Sequence, residues 1–200
     1  ITYDEAKNVN LTANANATNA NITFALDETA ENTAGATVTL DGTVAYTKVG
    51  TFTVKATSAG DGFYMSATSE SKTFTVAQKE LTIKVKDGFK VTKTSDGTTA
   101  LVGDNATQIK KALSLDGIVK GDTVTLTVDT RAAAYKESSP FVNNEINGLT
   151  FALGGNDAGN YTLNNACTVP AKIEAAKAGA DEYNLSAGAN AQITLADGVT

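Results

Sequence analysis

The side chains best suited to acid–base chemistry in this 200-residue sequence are 22 Asp and Glu, set against 16 Lys and Arg, one Cys and no His. A glycosidase needs only two carboxylates several ångströms apart, but the spacing brings no particular pair together, and acids this dispersed serve solubility. Without His there is no imidazole base, no His-dependent triad and no imidazole metal site. Cys167, between Ala166 and Thr168 on an apolar stretch, has no imidazole to activate it and reads as a small buried filler. Alone, it can form neither an intrachain disulfide nor a thiolate zinc site. No catalytic residue is assigned; the chain reads as a non-enzyme without a cofactor.

Other groups invite a binding role. Acidic turns at Asp41, Asp61, Asp116 and Asp122 offer oxygens of the kind calcium takes, yet no DxDxDG loop closed by Glu is present, so they read as solvated turn residues. In Asp157-Ala158-Gly159-Asn160-Tyr161 the acid and amide suit turn backbones, Gly159 suits an unusual φ, and Tyr161 with Leu163 suits inward packing. An intramolecular Lys–Asn amide would require Lys84 or Lys86 to meet Asn164 or Asn165, but alternation sends both lysines outward. Asn-X-Ser/Thr triplets begin at Asn10, Asn16, Asn21, Asn105, Asn160 and Asn184, a chance product of a chain rich in Asn and Thr. For a saccharide the platforms are tyrosines, since Trp is absent. Tyr3, Tyr46, Tyr64, Tyr135 and Tyr183 could serve if exposed, although most of them read as core or edge residues; Tyr64, beside Phe63, and Tyr135, beside Ser138-Ser139-Pro140, are the ligand-binding candidates.

The elements that must position these groups are strands. Phe52, Val54 and Ala56 alternate with Thr51, Thr53 and Lys55; Phe74 and Val76 with Thr73 and Thr75; Leu81, Ile83 and Val85 with Thr82, Lys84 and Lys86. Val124, Leu126 and Val128 repeat the pattern, as do Leu149, Phe151 and Leu153. Successive strand residues point to opposite faces, so each run has one dry and one wet face. The 31 Thr residues suit the wet faces, being β-branched and able to pair across strands. Frequent Asp-Gly and Gly-Asp turns then predict antiparallel sandwiches. One segment differs: Ile109, Ala112 and Leu113 follow Asp104-Asn105 at helical spacing, predicting a short helix capped at Asp104 or Asn105.

Two stretches carry a family resemblance. Gly50–Tyr64, with Thr73-Phe74-Thr75-Val76, resembles the closing strands of bacterial immunoglobulin-like repeats. Ile118–Leu126, followed by Gly148-Leu149-Thr150-Phe151 and Asp157–Leu163, is similar to the YDG-type repeat of large bacterial surface and haemagglutinin-like proteins, with Ser95-Asp96-Gly97 where that family has Tyr-Asp-Gly. The expected architecture is therefore all-β: two tandem immunoglobulin-like antiparallel β-sandwich modules, 1–78 and 79–174, with a helical insert in the second. Almost no spacer separates them at Ala77-Gln78-Lys79-Glu80, which favours a semi-rigid row. Residues 175–200 read as a linker and the start of a further β element. Asn184–Ala189 with Gln192–Leu195 echoes Asn10–Ala15 with Asn21–Phe24. Beginning at Ile1 without a leader, the chain is expected to be a processed product or a piece of something longer.

The resemblance implies a non-catalytic structural or adhesive segment, a stalk or spacer of a secreted bacterial cell-surface protein, with neighbouring repeats as partners. The alternative is a module that itself binds an extracellular glycan or host protein through exposed Tyr residues. A net charge of −6 and a pI near 4.7 argue against nucleic acid, whose affinity comes from clustered cations, and no apolar run approaches the ~20 residues of a membrane-spanning helix.

Overall fold

A computed structural model describes residues 1–4, 6–16 and 21–176. The fold is all-β with one short helix. Before Gln78 lie β1 (Asn8–Asn10), β2 (Ile22–Leu26), β3 (Thr37–Val38), β4 (Thr43–Ala45), β5 (Gly50–Ser58), β6 (Ala67–Thr68) and β7 (Lys72–Val76). After it come β8 (Lys79–Val85), β9 (Val91–Thr94), the helix α1 (Asn105–Ala112), β10 (Leu113–Asp116), β11 (Thr125–Asp129) and β12 (Ala134–Tyr135). The last strands are β13 (Phe141–Asn147), β14 (Thr150–Gly154), β15 (Tyr161–Asn164) and β16 (Val169–Glu174).

The alternating runs form strands β5, β7, β8, β11 and β14, as their pattern predicts. In the first part, β5 is flanked by β2 on one edge and by β6 and β7 on the other, while β4 pairs with β1 and β3 in a second small sheet. Phe52 and Phe74 are ladder partners on the inner face and stack with centroids 5.4 Å apart. Thr53 departs from the expected wet face: it is buried, and its hydroxyl lies 2.9 Å from that of Thr73.

In the second part, β10-β8-β15 and β12-β13-β16-β9 form two sheets, and β11 pairs with β14. Here the antiparallel expectation needs correction, because β15 runs parallel to β8 and β16 parallel to β9. Alternation reports which face a residue occupies and says nothing about the direction of the neighbouring strand. Helix α1 lies where predicted, burying Ile109 and Ala112. Its capping differs: the Asp104 side chain accepts from the Gln108 side-chain amide at 2.6 Å and makes no bond to the helix backbone.

Every named ladder joins strands on the same side of Gln78. The packing does not respect that division. The first hydrophobic core contains Tyr3, Tyr46, Phe52, Val54 and Val76 together with Leu81, Val119 and Tyr161. A second core gathers Ile83, Val91, Ile109, Val128, Ile146 and Ile173. The expected element after Ile173, including the Asn184 echo and Tyr183, lies outside the described residues apart from its first positions.

Candidate functional site

Among the described residues, the densest convergence of ionisable side chains is at the seam between the two parts. Its centre is Asp122, in the turn between β10 and β11, where Gly121 at φ +93° reverses the chain and the Asp122 amide donates to the Val119 carbonyl at 3.1 Å. The Asp122 side chain is only 4% exposed. Its Oδ2 accepts the hydroxyls of Tyr3 at 2.8 Å and Tyr161 at 2.7 Å, and its Oδ1 accepts Nζ of Lys7 at 2.8 Å. Tyr161, the first residue of β15, also accepts from the Val119 amide at 3.0 Å.

The partners are held as firmly as the acid. Tyr3 is anchored by its own amide, which donates to the Ala77 carbonyl at 2.9 Å. Its ring meets Tyr161 edge-on, with centroids 5.7 Å apart at 84°. Lys7 takes φ +50° while its amide donates to Asp4 Oδ1 at 3.0 Å, and its ammonium sits 5.2 Å from the Tyr3 centroid, within cation–π reach. A second line of bonds runs beside this cluster. The Val49 amide donates to Asn160 Oδ1 at 3.0 Å, and the Gln78 side-chain amide donates to the carbonyls of Gly159 and Tyr161 at 2.9 and 3.1 Å.

The electrostatics follow from burial and pairing. Burial pushes the Asp122 carboxyl up, but hydrogen bonds from Lys7, Tyr161 and Tyr3 outweigh it and hold it below the usual carboxylate range. Burial, reinforced by Asp122, raises Tyr161 well above an ordinary phenol, and burial also raises Tyr3. The bond to Asp122 raises Lys7. Near neutral pH the cluster is thus one carboxylate, one ammonium and two neutral phenols. Each phenolic proton is committed to Asp122, so the cluster is a latch that ties residues on both sides of Gln78 together.

Asp157, Asn160 and Tyr161 all serve this seam: Asp157 Oδ2 accepts the Thr123 amide at 2.7 Å, fixing the turn that carries Asp122. The unusual φ expected at Gly159 falls instead at Gly155, at φ +98°; Gly159 lies in a 3-10 turn, Ala158–Asn160. Among the proposed saccharide platforms, Tyr64 is 54% exposed. Tyr135 is not available: it is 2% exposed, its hydroxyl donates to Asn105 Oδ1 at 3.2 Å, and Lys93 lies 5.2 Å from its ring centroid. Strand β12 turns its ring into the second core, away from the Ser138-Ser139-Pro140 segment beside it.

The four acidic turns do not converge, and among the described residues no group of three or more potential metal ligands occurs. Asp41 bonds the Thr39 hydroxyl, Asp61 holds its own loop, and Asp116 pairs with Lys84 at 2.9 Å. Lys84 is thus engaged with Asp116, and the Asn164 side-chain amide lies 3.5 Å from Glu80 Oε1. Cys167 packs against the second core, where burial raises its thiol. Two of the Asn-X-Ser/Thr triplets begin at buried residues, Asn105 and Asn160. Local sequence gave no sign of Lys93: two residues after Val91 on β9, it points inward, and its ammonium bonds Asp96 Oδ1, the Thr98 carbonyl and hydroxyl, and the Ala100 carbonyl.

A YDG domain is found at residues 77–169, a span that contains Asp122, Asn160 and Tyr161. Strand β16 extends beyond it to Glu174 while pairing with β13 and β9. No curated protein matches the chain.

Proposed function

We propose that the chain is a non-catalytic spacer segment in which two modules, residues 1–78 and 79–174, are locked in a fixed relative orientation. The first module would be an immunoglobulin-like repeat, and the setting a secreted bacterial surface protein, as the YDG-type sequence implies. Neighbouring repeats of the same chain are the expected partners. The observation that carries this reading is the shared Asp122 carboxylate, which receives Tyr3 and Lys7 from one side of Gln78 and Tyr161 from the other. A flexible tether would have no need to bury an ion pair and two phenols at its joint. A stalk does need them, because bending the joint would strip a buried charge of its donors. The continuous packing of Leu81, Val119 and Tyr161 into the first core supports the same stiffness.

The test is a distance measurement. Spin labels at exposed positions 70 and 111, introduced as Glu70→Cys and Lys111→Cys in a Cys167→Ala background, report the separation across the joint. One narrow distance distribution, broadened by Asp122→Ala, is the expected result. A broad distribution with the latch intact overturns the spacer reading.

A further inference from the structure

We propose that the cleft beside Tyr64 is a binding site for a neutral saccharide. It lies at the end of β5 remote from the latch: Val49, which bonds Asn160, immediately precedes β5, and the nine residues of that strand carry the chain about 30 Å away. Three consecutive apolar side chains project there, with Phe63 96%, Tyr64 54% and Met65 90% exposed. Solitary exposed apolar residues are ordinary, but three together on one tip mark an interaction site.

The tip is built to hold them out. Asp61 Oδ1 accepts the amides of both Phe63 and Tyr64, at 3.1 and 3.0 Å, and the Asp61 amide donates to the Tyr64 carbonyl at 3.3 Å. Gly60 sits at φ +79°, where a Cβ would lie 2.4 Å from the Tyr64 carbonyl oxygen, so the turn needs glycine. A rigid loop displays its rings with less ordering cost on binding.

Beside the Tyr64 ring is an open cleft of about 350 Å³, lined by Tyr64, Met65, Asn14, Asn16, Ser58 and Thr68 among others. Among the described residues, no Asp, Glu, Lys or Arg lines it, although the chain is charged overall. An aromatic face, carboxamides and hydroxyls without formal charge match an uncharged pyranose, whose C–H face stacks on a ring while its hydroxyls exchange hydrogen bonds with amides. Of the charged residues flanking the lining in sequence, Asp61 and Glu70 are acidic and the one base, Lys55, is paired with Asp27 at 3.1 Å, which disfavours anionic sugars and anionic lipid surfaces.

The test is calorimetric titration of the 200-residue chain with cellohexaose, maltohexaose, mannohexaose and chitohexaose, and with hexagalacturonate and phosphatidylcholine vesicles as the charged and lipid probes. Saturable binding of at least one neutral hexasaccharide is expected. Tyr64→Ala should weaken it at least tenfold, Tyr64→Phe less than threefold, and Asp122→Ala should leave it unchanged because the latch is remote. Unaltered thermal midpoints of the Tyr64 variants show that folding is intact. The site is refuted by silence across the four neutral probes, by equal binding in Tyr64→Ala, or by binding confined to hexagalacturonate or vesicles.

Discussion

The ammonium of Lys7 lies 2.8 Å from a carboxylate oxygen of Asp122, a residue 115 positions further along the chain. The pair is unequal in its surroundings: the Lys7 side chain is a third exposed, whereas Asp122 is almost fully covered. Water therefore solvates the cation in part, and the anion depends on its protein donors. Two phenols complete that set, so the negative charge is satisfied only while both sides of the seam are in place.

Replacing Asp122 by Ala removes the acceptor for all three donors. Because Lys7 can turn to solvent, the loss should be smaller than for a fully enclosed pair, about 1–3 kcal/mol. Urea unfolding should show a lower midpoint for Asp122→Ala, with Asp122→Asn intermediate because its amide oxygen still accepts from a phenol. Equal midpoints for Asp122→Ala and the parent would show that the latch contributes nothing to stability.

Stability should fall at both ends of the pH scale. Lys93 and Thr98 hold the Asp96 carboxyl down at about 2, and the exposed Arg131 holds Asp129 at about 2. Asp27, bonded by Ser71, Thr29 and Lys55, and Asp122 are also depressed. Below an unfolded carboxyl pKa of roughly 4 the unfolded chain binds more protons than the folded one, so stability is present above that value and drains away towards pH 2. At the alkaline end burial raises Tyr46 and Tyr135 to about 12. Unfolded phenols ionise near 10, so stability declines above roughly pH 10 and is lost as the folded phenols titrate. Urea midpoints measured from pH 2 to 12 should form a plateau between about 5 and 9, with both limbs falling; a flat acid limb contradicts the assignment.

How much of this was legible beforehand depends on the range over which each feature is encoded. Phe52-Thr53-Val54 and Leu81-Thr82-Ile83 declare a strand within a few residues, and Ile109, Ala112 and Leu113 declare a helix. The parallel pairing of Tyr161–Asn164 with Lys79–Thr82 brings together segments some 80 residues apart, and nothing in either segment states its partner. The site divides in the same way. Tyr161 reads as packing inward and is buried, whereas Asp157 and Asn160 read as holding their own turn but accept from the remote amides of Thr123 and Val49; Lys7 carries no local mark of a buried partner. Tyr135 has polar neighbours that suggest surface, yet pairing opposite Ile146 turns it inward; Lys93, which drew no reading from the sequence, is turned inward by the strand period from Val91.

Two glycines should separate conformational strain from collision. Gly121 and Gly155 both have positive φ, +93° and +98°, but a Cβ on Gly121 meets nothing within 4 Å, whereas one on Gly155 would lie 2.3 Å from the Thr123 carbonyl oxygen. Gly121→Ala carries the left-handed penalty alone, about 1–2 kcal/mol. Gly155→Ala adds displacement of the Thr123–Val124 backbone that follows Asp122, for a total of about 2–5 kcal/mol. Thermal melts should rank parent, Gly121→Ala and Gly155→Ala in descending order; the reverse order for the two variants would refute the contact.

Lys93 offers the sharpest case of a charge whose removal is felt at a distance along the chain. Its side chain is fully buried, and its ammonium is the common donor to oxygens of Asp96, Thr98 and Ala100. In Lys93→Met the stem is replaced at similar volume, but the Thr98 and Ala100 carbonyls lose this donor, at about 1–3 kcal/mol for each acceptor left dry. The loop can lessen that cost only by opening to water. Amide hydrogen exchange should therefore accelerate at 96–100 while β16, on the far side of the β9 ladder, stays protected. The Asp96 carboxyl should also titrate closer to its ordinary range, which carbon-detected NMR would read directly. Uniform acceleration across both sheets would instead mean that Lys93 supports the whole second core rather than this one loop.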